Sequence, residues 1–342
     1  MIGVQQAELT ALMLESGEAM NRSNRVEAVH LVRKLRGGSQ PFLIEASDGL
    51  LYVVKFHDNP QGPNLLFNEA VGTELFRMAG LRVPEWRVVR VSEDFIQSHS
   101  ECWLQTPLGP VRPSAGQCFG SRFLGLSGGN VFEILAGGHF SRLRDRRLFW
   151  IAWVLDVFCE HSDNRQVVFL EGTARWLEAY FIDHGHMFGG ACGTKSSHFR
   201  ASQYLDPRIY TQATAELASE VEERIHSIDL REVAEAAFDL PNHWASATAM
   251  ARFQSFVLRV SNRTLVKNVI RCILGVTETA GMKCGLQPEQ SVGACQYSGM
   301  RSQISLSRSP DRICGREDDP ACSQGCESPQ ALHASFLKAV NY

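Results

Sequence analysis

Short runs of alternating apolar and polar residues fill the first part of the chain, and apolar residues at three- and four-residue intervals fill the middle. Alternation puts successive side chains on opposite faces of a strand, whereas the longer interval puts them on one face of a helix. Residues 27–125 therefore read as a strand-rich region, with EAVHLVRKL, PFLIEAS, GLLYVVKF, EWRVVRV and FGSRFLG as its strands. Asp48-Gly49 between two apolar runs is a hairpin turn signal. One helix over 64–79 interrupts the strands, with Leu65, Leu66, Ala70, Leu75 and Met78 on its apolar face, Gly80 as its stop and Pro84 beyond. From residue 141 helices dominate, beginning with Leu148, Ile151, Ala152, Leu155 and Phe158 at helical spacing. Further helices are expected over 212–227, 230–238 and 249–273. A β-rich part followed by an α-rich part, 126–275, predicts an α+β fold in two lobes with a cleft where they meet.

Both ends have a different character. Residues 1–26 form an extension whose MIGVQQAELTALMLESGEAM reads as a short amphipathic helix and lacks a basic-then-apolar signal pattern. Beyond Gly275 the chain turns to Ser, Gly, Gln, Arg and Cys, too poor in apolar residues to offset the entropy of ordering. Residues 276–342 are expected to be a disordered tail, with a short helix over 331–340. Its serines Ser302, Ser305, Ser307 and Ser309 lie near arginines and can be phosphate acceptors or simple low-complexity sequence.

Composition narrows the setting. Lys plus Arg number 34 against 37 Asp plus Glu, a net charge of -3, so the basic stripe of a duplex-nucleic-acid binder is not indicated. No apolar run reaches the roughly 18–20 residues that span a bilayer. These features predict a cytoplasmic, reducing location and no membrane partner. Of the ten cysteines, those in the tail do not form paired zinc-ligand spacing and read as incidental thiols.

Four segments carry candidate chemistry. Gly37-Gly38-Ser39-Gln40 lies between two strands, and its backbone N–H groups can face a phosphate; a plain hairpin turn is the simpler alternative. Lys55, in an apolar strand, can reach phosphate oxygens or guard a sheet edge. Glu69 on the following helix is placed to hold that lysine, and Glu74 competes for the pairing. In His161-Ser162-Asp163-Asn164-Arg165-Gln166, an Asp can orient or deprotonate a hydroxyl while a nearby amide oxygen holds a metal; otherwise it is an Asx turn. Asp183, at the end of the apolar run LEAYFI, suits Mg²⁺, and a hairpin between Asp163 and Asp183 returns both acids to one end. His161, Asp163, Asp183, His184 and His186 also compose a mixed set for a metallohydrolase, a reading that leaves Lys55 and Glu69 unused.

Taken in order, GGSQPFLIEASDGLLYVVKF, FNEAVGTELFRMAGLRVPEW, FGSRFLG, HSDNRQ and FIDHGHMFGG resemble the HipA-like kinase family and its two-lobed protein-kinase-like fold over residues 30–275. The resemblance implies transfer of the ATP γ-phosphoryl group to a hydroxyl acceptor, most often a protein Ser/Thr, with Mg²⁺. It implies that Lys55 contacts the phosphates alongside Gly37, Gly38 and Ser39, and that Glu69 holds Lys55. It places Ser121, Arg122 and Phe123 at the adenine through backbone groups, Asp163 as catalytic aspartate and Asp183 as metal ligand. Two features depart from the pattern. Val168 stands where most kinase-like enzymes have a metal-binding Asn, leaving Gln166 or Asn164 to substitute, and the full GxGxxG loop is missing. The first departure motivates an alternative, a nucleotide-binding pseudokinase that acts as a scaffold.

Overall fold

The computed structural model describes residues 24–126, 130–172, 175–193 and 202–275. The predicted N-terminal helix and the tail, with its helix, serines and cysteines, lie outside the described residues. Strands β1 (Arg25–Lys34), β2 (Phe42–Ala46) and β3 (Leu51–Lys55) come first, then helix α1 (Leu65–Met78) and strand β4 (Trp86–Val91). A short helix α2 (Glu93–Ser98), a hairpin of β5 (Leu104–Thr106) and β6 (Gly109–Val111), and strand β7 (Gly116–Arg122) complete this part.

Strands β1, β2, β3, β7 and β4 close into a barrel in that order, with β1 joining β4 in parallel. Alternation sends Phe42, Ile44, Tyr52, Val54, Val89 and Val91 inward, where they are buried. Each such side chain stabilises the fold by about 1.5–3 kcal/mol when fully buried. The same two-residue period turns Val53 and Lys55 of β3 outward to the cleft. Gly49, with φ 74, makes the turn between β2 and β3 as the Asp48-Gly49 signal predicts.

The second part holds β8 (Val131–Phe132), α3 (Leu148–Phe158), β9 (Gln166–Glu171), β10 (Leu177–Ile182), α4 (Ala215–His226), α5 (Leu230–Phe238), α6 (Ala247–Ser261) and α7 (Arg263–Leu274). β9 and β10 form an antiparallel hairpin, with β8 on the far side of β9. Gln166 faces Ile182 across the hairpin, so the segments bearing Asp163 and Asp183 emerge at the same end.

The structure corrects two expectations. The helix predicted over 249–273 is two helices, broken where Asn262 takes an extended backbone and its side chain accepts the Leu265 N–H at 3.0 Å. Asparagine competes with the helix for its own backbone donors, which makes it a cap and not an interior residue. The helix predicted from residue 212 starts at Ala215, capped by Thr214. Between β4 and β7 the chain also carries α2 and the β5–β6 hairpin, which the pattern of apolar and polar positions does not predict. Among the described residues Cys102, Cys118, Cys159 and Cys192 form no disulfide, and no helix is long and apolar enough to cross a membrane.

Candidate active site

A cavity of about 800 Å³ opens between the barrel and the β9–β10 hairpin. The β1–β2 turn contributes Gly37, Gly38 and Ser39, and the end of β7 contributes Ser121, Arg122 and Phe123. Lys55 and Glu69 form one wall, Asn164, Gln166 and Asp183 another.

Lys55 and Glu69 are both buried and form an ion pair, and the Lys55 ammonium also donates to Asp183 Oδ1 at 2.8 Å. Burial alone would weaken the ammonium, but Asp183 and Glu69 outweigh it and hold its pKa above the ordinary value. For Asp183, too, burial is opposed by the lysine charge, which keeps its carboxyl below its usual range and therefore ionised. Burial pushes Glu69 upward against the pull of Lys55. Glu74, the rival partner, is occupied elsewhere: it accepts from Arg77 Nε and from Trp86 Nε1, each at 2.7 Å.

Glu69 also grips the loop that follows β10, accepting the N–H groups of His184 at 3.2 Å and Gly185 at 2.9 Å. Its neighbour Asn68 holds the same loop from the acceptor side. The fully buried amide donates to Gly185 O at 2.9 Å and Met187 O at 2.7 Å, with Gly190 O at 3.3 Å. Such close docking needs Gly72 on α1, where a Cβ would lie 2.7 Å from Met187 Sδ. A polar Asn directly after the apolar run Leu65–Phe67 is the sequence signal for this role.

Asp163 is half-buried, and its Oδ1 accepts the Asn164 N–H at 2.7 Å. His161 Nδ1 donates to Asp163 O at 2.7 Å, and its other ring nitrogen lies 3.4 Å from Asp183 O. The buried imidazole thus sits between the two acid-bearing loops. Desolvation and the nearby Arg165 push its pKa down to about 4. Both nitrogens face carbonyls, which only accept, and the shorter contact assigns the one proton of the neutral ring to Nδ1.

Arg165 escaped the sequence reading. It is buried and bidentate to Asp156 of α3, with Nε to Oδ2 at 2.9 Å and Nη2 to Oδ1 at 2.5 Å. Its remaining nitrogen donates to Ile182 O at 2.8 Å and faces His184 Nδ1 at 3.3 Å, while the guanidinium lies over the Phe76 ring at 4.8 Å. It thereby fixes the backbone just before Asp183, which holds a left-handed φ of 60.

Two expectations change at the site. Arg122 and Phe123 line the cavity, but their N–H groups already donate to Glu85 O and Leu51 O, so they are not open as backbone donors to a ligand. The His/Asp set of the metallohydrolase reading is not assembled either. No group of three His, Cys, Asp or Glu side chains is placed to hold a metal among the described residues, and His184 is packed edge-on against Phe76.

A family model described as HipA-like kinase matches residues 28–268. No curated protein matches the chain in sequence. Similar solved structures include the crystal structure of a Helicobacter pylori proinflammatory kinase, CtkA, at 11% identity and TM-score 0.45, covering 72% of this chain and 98% of that one. Another is the Golgi casein kinase with Mn/ADP bound, at 11% identity and TM-score 0.36, covering 75% of this chain and 76% of that one.

Proposed function

The chain belongs to the HipA-like kinase family, and from that premise we propose that it transfers the γ-phosphoryl group of ATP to a hydroxyl of a protein serine or threonine. The convergence of Lys55, Glu69 and Asp183 on one cavity carries the reading. Phosphoryl transfer asks a protein mainly for positioning and charge neutralisation. Lys55, kept charged by its two carboxylates, is suited to draw negative charge from the phosphates. Asp163 is the residue to align the acceptor hydroxyl and take its proton.

The residues also fit Mg²⁺. Asp183 stays ionised, with its side chain 22% exposed, and Asn164 and Gln166 offer amide oxygens at the same cavity, the hard donors this ion prefers. When bound, the ion supplies neutralisation of charge on the phosphates. Val168 lies inside β9, paired with Tyr180, and offers no donor. That position is the one observation favouring a nucleotide-binding scaffold without transfer.

The test uses the full chain with radiolabelled ATP, Mg²⁺ and a cell lysate as the source of acceptors, followed by phosphosite mapping. Asp163→Asn is expected to cut transfer by about a hundredfold or more while ATP binding holds. Asp183→Asn is expected to lose Mg²⁺-dependent nucleotide binding as well. Parent-like transfer in both variants would defeat the assignment; ATP binding without transfer by the parent would favour the scaffold.

A further inference from the structure

The turn that lines the cavity between β1 and β2 is not held by those strands alone. Gln40 closes it with a left-handed φ of 46, and its side chain leaves the barrel to meet β5. There Nε2 donates to Gln105 O at 2.8 Å while Oε1 accepts the Gln105 N–H at 2.7 Å. One amide paired both ways with one residue's backbone reproduces the exchange that two antiparallel strands make.

The other side of the turn is tied to Trp103, just ahead of that strand. Lys34, at the end of β1, donates to Gln40 Oε1 at 3.1 Å and to Trp103 O at 2.7 Å. Its ammonium stands 3.5 Å from the centroid of the Trp103 ring, within cation–π range. The anchor is rigid. Cys102 and Leu104, on either side of Trp103, are buried in the barrel core. Arg112 Nη1 donates to the carbonyls of Ile96, His99 and Cys102, all within 3.1 Å.

Glycines lose more conformational freedom on ordering than other residues, so a turn carrying Gly37 and Gly38 costs the most to fix at the moment of binding. An anchor that fixes it beforehand raises affinity without touching the ligand. We infer that the segment bearing β5 sets the affinity for nucleotide phosphates by clamping the Gly37-Gly38-Ser39 turn, with Gln40 and Trp103 as positioning residues. The inference rests on the kinase reading and extends it to a segment outside the catalytic loops.

The experiment is an equilibrium titration of the full chain with ATP plus Mg²⁺, and separately with adenosine, which has no phosphates. Gln40→Leu keeps the size and removes the hydrogen bonds; Trp103→Leu removes the ring beneath Lys34. Both are expected to weaken ATP binding about tenfold while adenosine binding stays within about twofold of the parent. Leu108→Ser, at the hairpin tip where Leu108 is 99% exposed, is expected to match the parent. ATP affinity unchanged in Gln40→Leu and Trp103→Leu overturns the inference, as does an equal loss for adenosine, which would mark general damage. A parent that binds adenosine but not ATP overturns it too. A parent that binds neither compound overturns the kinase reading, and this inference with it.

Discussion

Gly185 donates its backbone N–H at 2.9 Å to Glu69 Oε1, the same oxygen that faces the Lys55 ammonium. One carboxylate therefore joins the barrel lysine to the loop carrying Asp183. Glu69→Gln keeps an acceptor for the loop but leaves the buried ammonium with Asp183 as its one remaining carboxylate. Breaking a buried pair from one side costs about 3 kcal/mol or more, read as a lower urea midpoint at neutral pH. Glu74→Gln on the same helix should cost about 1 kcal/mol or less, since its ion partner Arg77 is exposed. Equal losses in the two variants would contradict the assigned pairing.

Arg165 and Asp156 separate stability from positioning. Arg165→Met strands a buried carboxylate and should destabilise the chain by about 3–5 kcal/mol. Adding Asp156→Leu replaces the pair by apolar side chains and should recover most of that loss. Transfer activity should not return with it, because Ile182 O has lost its donor ahead of Asp183. Recovery of both stability and activity in the double variant would reduce the pair to packing.

Acid should loosen the fold through its buried histidines. His161 has a pKa of about 4 in the folded chain against 6.5 for an ordinary histidine. Its stabilising contribution is complete above pH 6.5 and is lost as pH falls toward 4, because the unfolded chain then takes up a proton the folded one refuses. The loss amounts to about 3 kcal/mol. Burial also drives the His184 pKa well down, which adds a loss of the same sign. Urea midpoints measured from pH 7.5 to 4.5 should fall steadily in the parent and less steeply in His161→Asn. Parallel slopes would remove His161 as the cause.

The parts of this architecture legible in the sequence are those that local periodicity encodes. Lys55 shows itself because a charge breaks an apolar strand, and Glu69 because a helix follows. The choice of Glu69 over Glu74 was not legible, since it depends on Trp86 and Arg77 reaching Glu74 in the folded chain. Arg165 reads as a solvated loop cation until α3 brings Asp156 beneath it. The β5–β6 hairpin was missed because three-residue strands are too short to show a period, although Asn262 did carry a readable cap signal.

The front lobe is sealed by the parallel pairing of β1 with β4, so the described strands of that sheet run in a ring with no open border. A visiting polypeptide cannot extend it by main-chain pairing, the route many recognition domains use. Docking on this lobe must therefore be written in side chains, or on the β6 margin of the small hairpin, because the Gln40 amide already occupies the backbone of Gln105 on the β5 margin.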